Sequence, residues 1–231
     1  MQVTSAAIIV AAGASHRMHG CNKLWIPLAG RTTLARTIDV FEASPSIDTI
    51  ILVVNTASLD DAQALCQHED WHKIATLIPG GVRRQDSVRA GLDALAQIAP
   101  DTSWVMIHDG ARPLVTPAII EAGLQAAQQH QAAIAAVPVK DTIKLVSEDK
   151  VYSTLDRSQL WAVQTPQVFS FPLISQAHYS QAAQTAVTDD AALLEKLGHP
   201  VAIFPGAYTN IKITTQEDIL LAETFLQGQH L

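Results

Sequence analysis

Charge and sulfur are both scarce in this chain. Charged residues make up 16% of its 231 positions, and 15 Lys+Arg stand against 22 Asp+Glu, a formal net charge of -7. A sparsely charged, net negative chain excludes a broad nucleic-acid footprint, which needs a basic stripe. It leaves room for a small anionic ligand in a local basic pocket, so the placement of the 15 basic residues matters more than their sum. The two cysteines, Cys21 and Cys66, give neither a metal-ligand spacing nor a disulfide framework. The histidines are scattered and no Cys-x-x-Cys occurs, so no structural zinc site is expected. No run approaches 18 apolar residues, so no membrane span is expected. The opening MQVTSAAIIVAAGAS is apolar for only a short stretch and lacks a basic leader. It reads as a first strand rather than a signal peptide, and a cytoplasmic location is expected.

What the chain does have is apolar runs alternating with helical periodicity. The hydrophobic fraction of 48% is that of a globular domain, and the length suits one domain with or without an appended arm. Ser5 to Val10 reads as a buried strand entering a tight loop at Ala11-Ala12-Gly13. Strands are expected at 49–55, 73–78, 103–108 and 132–137. Helices are expected at 33–41, 59–68, 87–98 and 116–129, the last opening on Thr116-Pro117. This rhythm is that of a mostly parallel α/β sheet covered on both faces. Such sheets bind ligands beyond the carboxyl ends of their strands, where the segments at Gly13, Gly80, Asp109 and Pro138 would converge. Residues 140–157 break the rhythm. Two extended stretches, 141–146 and 151–155, flank a turn at 147–150 and read as a hairpin. Its apolar face needs cover, from the rest of the domain or from a second subunit. Further on, 161–169 returns to the domain, a helix is expected at about 189–197, and 201–204 and 210–214 read as strands. A capping box at 214–218 opens a last helix.

Three loops carry chemistry. The first, AAGASHRMHGCNK at 11–23, lacks the second and third glycines of a dinucleotide fingerprint and has no Gly-Lys-Ser/Thr. What remains is a small-residue anion nest followed by Arg17 and Lys23, the pattern a polyphosphate needs. The second, PGGVRRQDS at 79–87, places Gly80 and Gly81 before a helix. Ser87 either caps that helix or reads a base edge, and Arg83 and Arg84 face either a phosphate or solvent. The third, HDGARP at 108–113, sets Asp109 at a strand end. There it holds a ribose hydroxyl or a magnesium-bound water, or caps the following turn.

Taken in order and spacing, these segments resemble the 2-C-methyl-D-erythritol 4-phosphate cytidylyltransferase family over essentially the whole chain. The carriers are AAGASHRM with Asn22-Lys23, GGVRRQDSVRAGL at 80–92, HDGARP at 108–113, KDTIK at 140–144, LDRSQLWAVQTPQVF at 155–169, TDDAALLE at 188–195 and NIKIT at 210–214. The resemblance implies a single Rossmann-like nucleotidyltransferase domain over 1–231 with an inserted β-arm at 139–158. It implies transfer of a cytidylyl group from CTP to 2-C-methyl-D-erythritol 4-phosphate, with a divalent ion, Mg2+ in the first instance. By position, Arg17, Lys23, Arg157 and Lys212 match the family's catalytic cations. Ala11, Ala12, Gly13, Gly81, Ser87, Asp109 and Gly110 match its nucleotide contacts. Thr142, Arg157 and Lys212 match its grip on the acceptor phosphate, and Asp109 a metal contact through water. In the family the arm crosses to the partner of a homodimer, so Thr142 and Arg157 would come from the other subunit. No nucleic acid or membrane partner is implied. Two departures stand out: Val82 replaces an acidic residue of some relatives, and Asn22 a proline. Rival readings are a ribitol 5-phosphate cytidylyltransferase, with the same chemistry on another phosphorylated polyol, and a non-catalytic nucleotide-binding module.

Overall fold

The structure is a computed structural model that describes residues 4–13 and 22–228. Strand β1 (Ser5–Ala11) is followed by a short 3-10 turn at Lys23–Trp25 and a small hairpin of β2 (Pro27–Leu28) and β3 (Arg31–Thr32). Then come α1 (Thr33–Ala43), β4 (Thr49–Val54), α2 (Leu59–His68), β5 (Ile74–Pro79), α3 (Arg84–Ile98), β6 (Trp104–Asp109), α4 (Pro117–His130) and β7 (Ala132–Pro138). The arm is β8 (Lys144–Ser147) and β9 (Lys150–Thr154). The chain ends with β10 (Trp161–Ser170), α5 (Phe171–Tyr179), α6 (Ala191–Lys196), β11 (Ala202–Pro205) and α7 (Gln216–Gly228).

Seven strands form one sheet in the order β11-β7-β10-β6-β1-β4-β5. Only β10 runs against its neighbours; every other pairing is parallel. The parallel strands therefore end at one edge, which gathers the loops after Ala11, Pro79, Asp109 and Pro138. Because β10 is reversed, its first half enters at that same edge: Trp161 pairs with Pro138, and its register slips between Val163 and Gln167. The alternation along β1 explains the two covering layers. Ala7 and Ile9 face Leu34, Ile38 and Phe41 of α1 and Ile120 of α4, whereas Ala6 and Ile8 face Val88, Leu92 and Leu95 of α3 and Ile174 of α5. Ile8 and Ile9 are both fully buried. Each such isoleucine stabilises the fold by roughly 1.5–3 kcal/mol relative to exposure.

Most of the expected elements are present, with three corrections. The helix expected from Ser87 begins a turn earlier, at Arg84, and Ser87 does not cap it. Its capping residue is Arg83, whose backbone N–H and guanidinium both donate to Asp86. The 210–214 segment is not a strand. Its alternation arises because Ile213 packs against Leu28, Leu114 and Ala222 and donates to the Ala111 carbonyl, while Lys212 faces a cavity. Helix α5 was not anticipated; it follows β10 without any intervening turn residue. The hairpin is as expected, closed at Glu148-Asp149 with both residues at positive φ, the backbone a two-residue turn needs.

The arm leaves Val146, Val151 and Tyr152 more than 60% exposed. No other part of the described chain covers that face. Among the described residues no helix is long and apolar enough to cross a membrane.

Candidate active site

Two cavities open at the carboxyl edge of the sheet and share one wall. The first, about 320 Å³, is lined by Ala11, Ala12 and Gly13 at the end of β1 and just beyond it, by Lys23, by Gly81 to Arg84 and Ser87 around the start of α3, and by Asp109 and Lys212. The second, about 310 Å³, is lined by Arg112, Val163, Gln164, Thr165, Gln167, Thr188 and Asp189. Arg84, Asp109 and Lys212 border both.

That wall is a cluster of opposite charges. Lys212 Nζ lies 2.7 Å from Asp109 Oδ2, and Arg84 Nε 3.3 Å from Oδ1. Arg112 Nε is 3.9 Å from Oδ2. Burial alone would raise the Asp109 carboxyl, but Arg84, Lys212 and Arg112 outweigh it and hold the group well below the usual carboxylate range. Arg84 is half-buried, and desolvation disfavours its charge, yet Asp190 and Asp109 outweigh that and push it above its ordinary value. Asp109 is positioned by its strand and by a buried threonine: its N–H donates to Thr165 Oγ1 at 3.0 Å. That hydroxyl lies 3.1 Å from His108 Nδ1, and His108 Nε2 lies 3.2 Å from the Arg112 carbonyl. Since a carbonyl only accepts, Nε2 carries the proton and Nδ1 accepts from Thr165. Burial holds His108 neutral, its pKa lowered to about 3 despite the neighbouring Asp109.

The loop at 80–87 is held just as tightly. Ser87 Oγ accepts from the Gly81 N–H at 3.1 Å. A Cβ added at Gly80 would collide with the Ala12 side chain and sit 2.7 Å from Ser87 Oγ. The glycine thus lets two loops of the first cavity touch.

Of the residues singled out from sequence, Lys23, Lys212, Ala11, Ala12, Gly13, Gly81, Ser87 and Asp109 line the first cavity together. Gly110 lies behind the wall: its N–H donates to the Val10 carbonyl and its own carbonyl accepts from Thr37. Thr142 and Arg157 line neither cavity; both are exposed at the base of the arm, where Arg157 Nη1 donates to the Lys140 carbonyl. Arg17 lies outside the described residues. Sequence reasoning missed Thr165, Gln164, Thr188 and Asp189 as wall residues, although both of the segments that carry them had been singled out. It also left Arg83 and Arg84 undivided. Arg83 pairs with Asp86 at the surface, while Arg84 is locked into the wall.

No group of three His, Cys, Asp or Glu residues able to hold a metal occurs among the described residues. His68 and His72 stand four apart, but α2 ends at His68, so they share no helix face. Among the described residues Asp109 is the single carboxylate lining the first cavity, and both its oxygens already accept from cations. With lone pairs to spare it suits a water of an ion that arrives on a triphosphate, as magnesium commonly does, and not an all-protein cage.

A glycine-bearing loop after the first strand, cations around a cavity and a second polar cavity alongside define a Rossmann-like nucleotidyltransferase. The family model described as "IspD: 2-C-methyl-D-erythritol 4-phosphate cytidylyltransferase" matches residues 5–228, and the chain belongs to that family. It is 51% identical over 222 residues to the 2-C-methyl-D-erythritol 4-phosphate cytidylyltransferase of Dehalococcoides mccartyi, covering 96% of this chain and 95% of that one. The corresponding protein of Syntrophotalea carbinolica is 49% identical over 227 residues, covering 95% and 94%. Among solved structures, the 4-diphosphocytidyl-2C-methyl-D-erythritol synthase of Anaerococcus prevotii superposes with a TM-score of 0.86 at 34% identity, over 97% of this chain and 96% of that one. The Thermus thermophilus cytidylyltransferase gives 0.77 at 29% identity, over 98% and 100%.

Proposed function

We propose that the chain transfers the cytidylyl group of CTP to 2-C-methyl-D-erythritol 4-phosphate, releasing pyrophosphate and forming 4-diphosphocytidyl-2-C-methyl-D-erythritol for non-mevalonate isoprenoid synthesis in the cytoplasm. Family membership supports the reaction. The carrying observation is the shared wall: two cavities meet at Arg84, Asp109 and Lys212, so two anionic substrates can face each other across it. CTP takes the first cavity, with its base against Gly81 and Ser87 and its phosphates toward Lys23 and Lys212. The acceptor takes the second, its hydroxyls toward Arg112, Thr165, Thr188 and Asp189 and its phosphate toward Lys212.

The nucleophile is an oxygen of a phosphate monoester, whose second pKa is about 6, so it is largely ionised at neutral pH and needs no general base. The difficulty is one anion approaching another. Lys23 and Lys212, joined by Arg17 as the family resemblance implies, neutralise the α-phosphoryl oxygens and the leaving pyrophosphate as charge shifts onto them. Asp109 would hold a water of a magnesium ion arriving with the triphosphate, and such an ion would supply further charge neutralisation. Asp109 also keeps the Lys212 ammonium between the two phosphates, which favours in-line attack. Thr142 and Arg157 complete the acceptor site from the arm of a second copy, which would also cover Val146, Val151 and Tyr152.

The test is pyrophosphate release with each of the four nucleoside triphosphates, with methylerythritol phosphate and ribitol 5-phosphate run in parallel. CTP with methylerythritol phosphate is expected to give the highest kcat/KM. Preference for ribitol phosphate would move the assignment to that acceptor. CTP binding with no pyrophosphate release from either acceptor would indicate a non-catalytic module.

A further inference from the structure

We infer that Asp190 is a positioning residue for this transfer: from behind the wall it grips Arg84 on the side away from Asp109, and so fixes the carboxylate that holds Lys212 between the cavities. Asp190 is fully buried and lines neither cavity. Its own placement is over-determined by three elements. Oδ2 accepts from Arg84 Nη1 at 2.5 Å, and Oδ1 lies 3.2 Å from Nε2 of the buried His178 on α5. Its backbone N–H donates to Gln167 Oε1 of β10 at 3.2 Å. A charge buried to this degree is costly unless fully partnered, and here Arg84 and His178 take the two oxygens of the carboxylate.

The guanidinium is a rigid planar fork, so anchoring Nη1 sets the direction of Nε. Nε is the atom that meets Asp109. The order is therefore His178, Asp190, Arg84, Asp109, Lys212, with only the last three reaching the cavities. Asp190 also offsets the Arg84 charge. Without it, Arg84 would keep Asp109 as its remaining carboxylate partner, and the wall would carry more net positive charge toward the first cavity. That strengthens ground-state attraction for a triphosphate while loosening the Asp109–Lys212 pair that the transition state uses. KM and kcat would therefore fall together, which a simple loss of stability would not do.

This inference rests on the transfer reaction proposed above. Asp190→Asn keeps shape and removes charge. It is expected to lower kcat about 10- to 100-fold and to lower the KM for CTP about two- to fivefold. In an Arg84→Gln background the same change should alter kcat by less than about twofold, because its route to the site is already cut. A kcat loss that multiplies fully in both backgrounds, or an unchanged kcat with only a lower melting temperature, would overturn the role. Should Asp190→Asn lack a cooperative melt, His178→Leu carries the test. It is expected to lower kcat several-fold alone and not at all alongside Arg84→Gln, and any other result overturns the role. Wild-type protein in the same assay separates the two readings. An inactive wild type removes the transfer reaction and this role with it; an active wild type with an equally active Asp190→Asn removes only the role.

Discussion

Lys212 Nζ sits 2.7 Å from Asp109 Oδ2 in the wall that both cavities share, and its side chain is about one-third exposed. A lysine so placed is held by one carboxylate yet still open to an anion on either side. Lys212→Met keeps the stem and removes the charge. The expected outcome is a fall in kcat/KM of about 10²–10³, the usual effect of deleting one donor that stabilises developing charge. Lys212→Arg should recover part of that loss. Steady-state pyrophosphate release with both substrates varied checks this, and a Lys212→Met enzyme within tenfold of wild type would remove Lys212 from the transition state.

The alternation of that segment misled the sequence reading in an instructive way. Asn-Ile-Lys-Ile-Thr has strand periodicity because one side is buried, yet the other side serves a cavity and no ladder forms. The central strands, by contrast, were legible because they are buried on both faces and read as unbroken apolar runs. The small-residue loop, Gly81 and Asp109 were also legible, since each follows such a run. The first turn of α3 was not, because Arg83 to Gln85 carries no apolar period and its cap is an arginine–aspartate exchange. Asp190 was beyond reach for another reason: its partner Arg84 lies 106 residues away, and neither residue type in isolation indicates a buried pair.

Two glycines allow the cavity and the core to be separated by experiment. At Gly80 an added Cβ would strike Ala12 and Ser87, both of the first cavity. Gly80→Ala is therefore expected to weaken CTP binding tenfold or more, about 1.4 kcal/mol or above, with a modest drop in melting temperature. At Gly91 the added Cβ would lie 2.6 Å from Ile8 Cγ2, inside the layer between α3 and the sheet. Gly91→Ala should cost roughly 1–3 kcal/mol of stability through overpacking while leaving CTP affinity near wild type. Calorimetric CTP titration and thermal melts on both variants give the contrast. Equal effects on both readouts would argue against the loop-to-loop contact at Gly80.

A shared site predicts complementation between inactive chains. Lys23 lines the first cavity, whereas Arg157 sits at the arm's base, bonded to the Lys140 carbonyl and away from both cavities of its own chain. Lys23→Ala and Arg157→Ala are each expected to abolish most activity. If Arg157 serves the neighbouring copy, a mixed dimer holds one site with neither defect and one with both. Co-refolded 1:1 mixtures should then recover about a quarter of wild-type activity, since half the dimers are mixed and half their sites intact. No recovery in mixtures shown to contain heterodimers would assign Arg157 to its own subunit.

The buried neutral His108 gives the chain an acid sensitivity of known sign. Its ring packs 4.9 Å from that of Phe41, and it bonds Thr165 and the Arg112 carbonyl as the Nε2–H tautomer. The unfolded chain protonates this residue at about 6.5. Burial keeps the folded chain from doing so until about 3. Below pH 6.5 the unfolded state thus binds more protons, and the stability that the neutral ring confers is lost as pH falls. At about 1.4 kcal/mol per pKa unit, the change from pH 6.5 to 5 removes about 2 kcal/mol through this one group. His108→Gln keeps a donor for the Arg112 carbonyl and has no proton to gain. Its stability at pH 7 should be lower than that of wild type, but the difference between the two proteins should narrow by about 2 kcal/mol at pH 5. Urea unfolding of both proteins across pH 5–7.5 measures this, and parallel curves over that range would mean that the folded chain accommodates a charged His108.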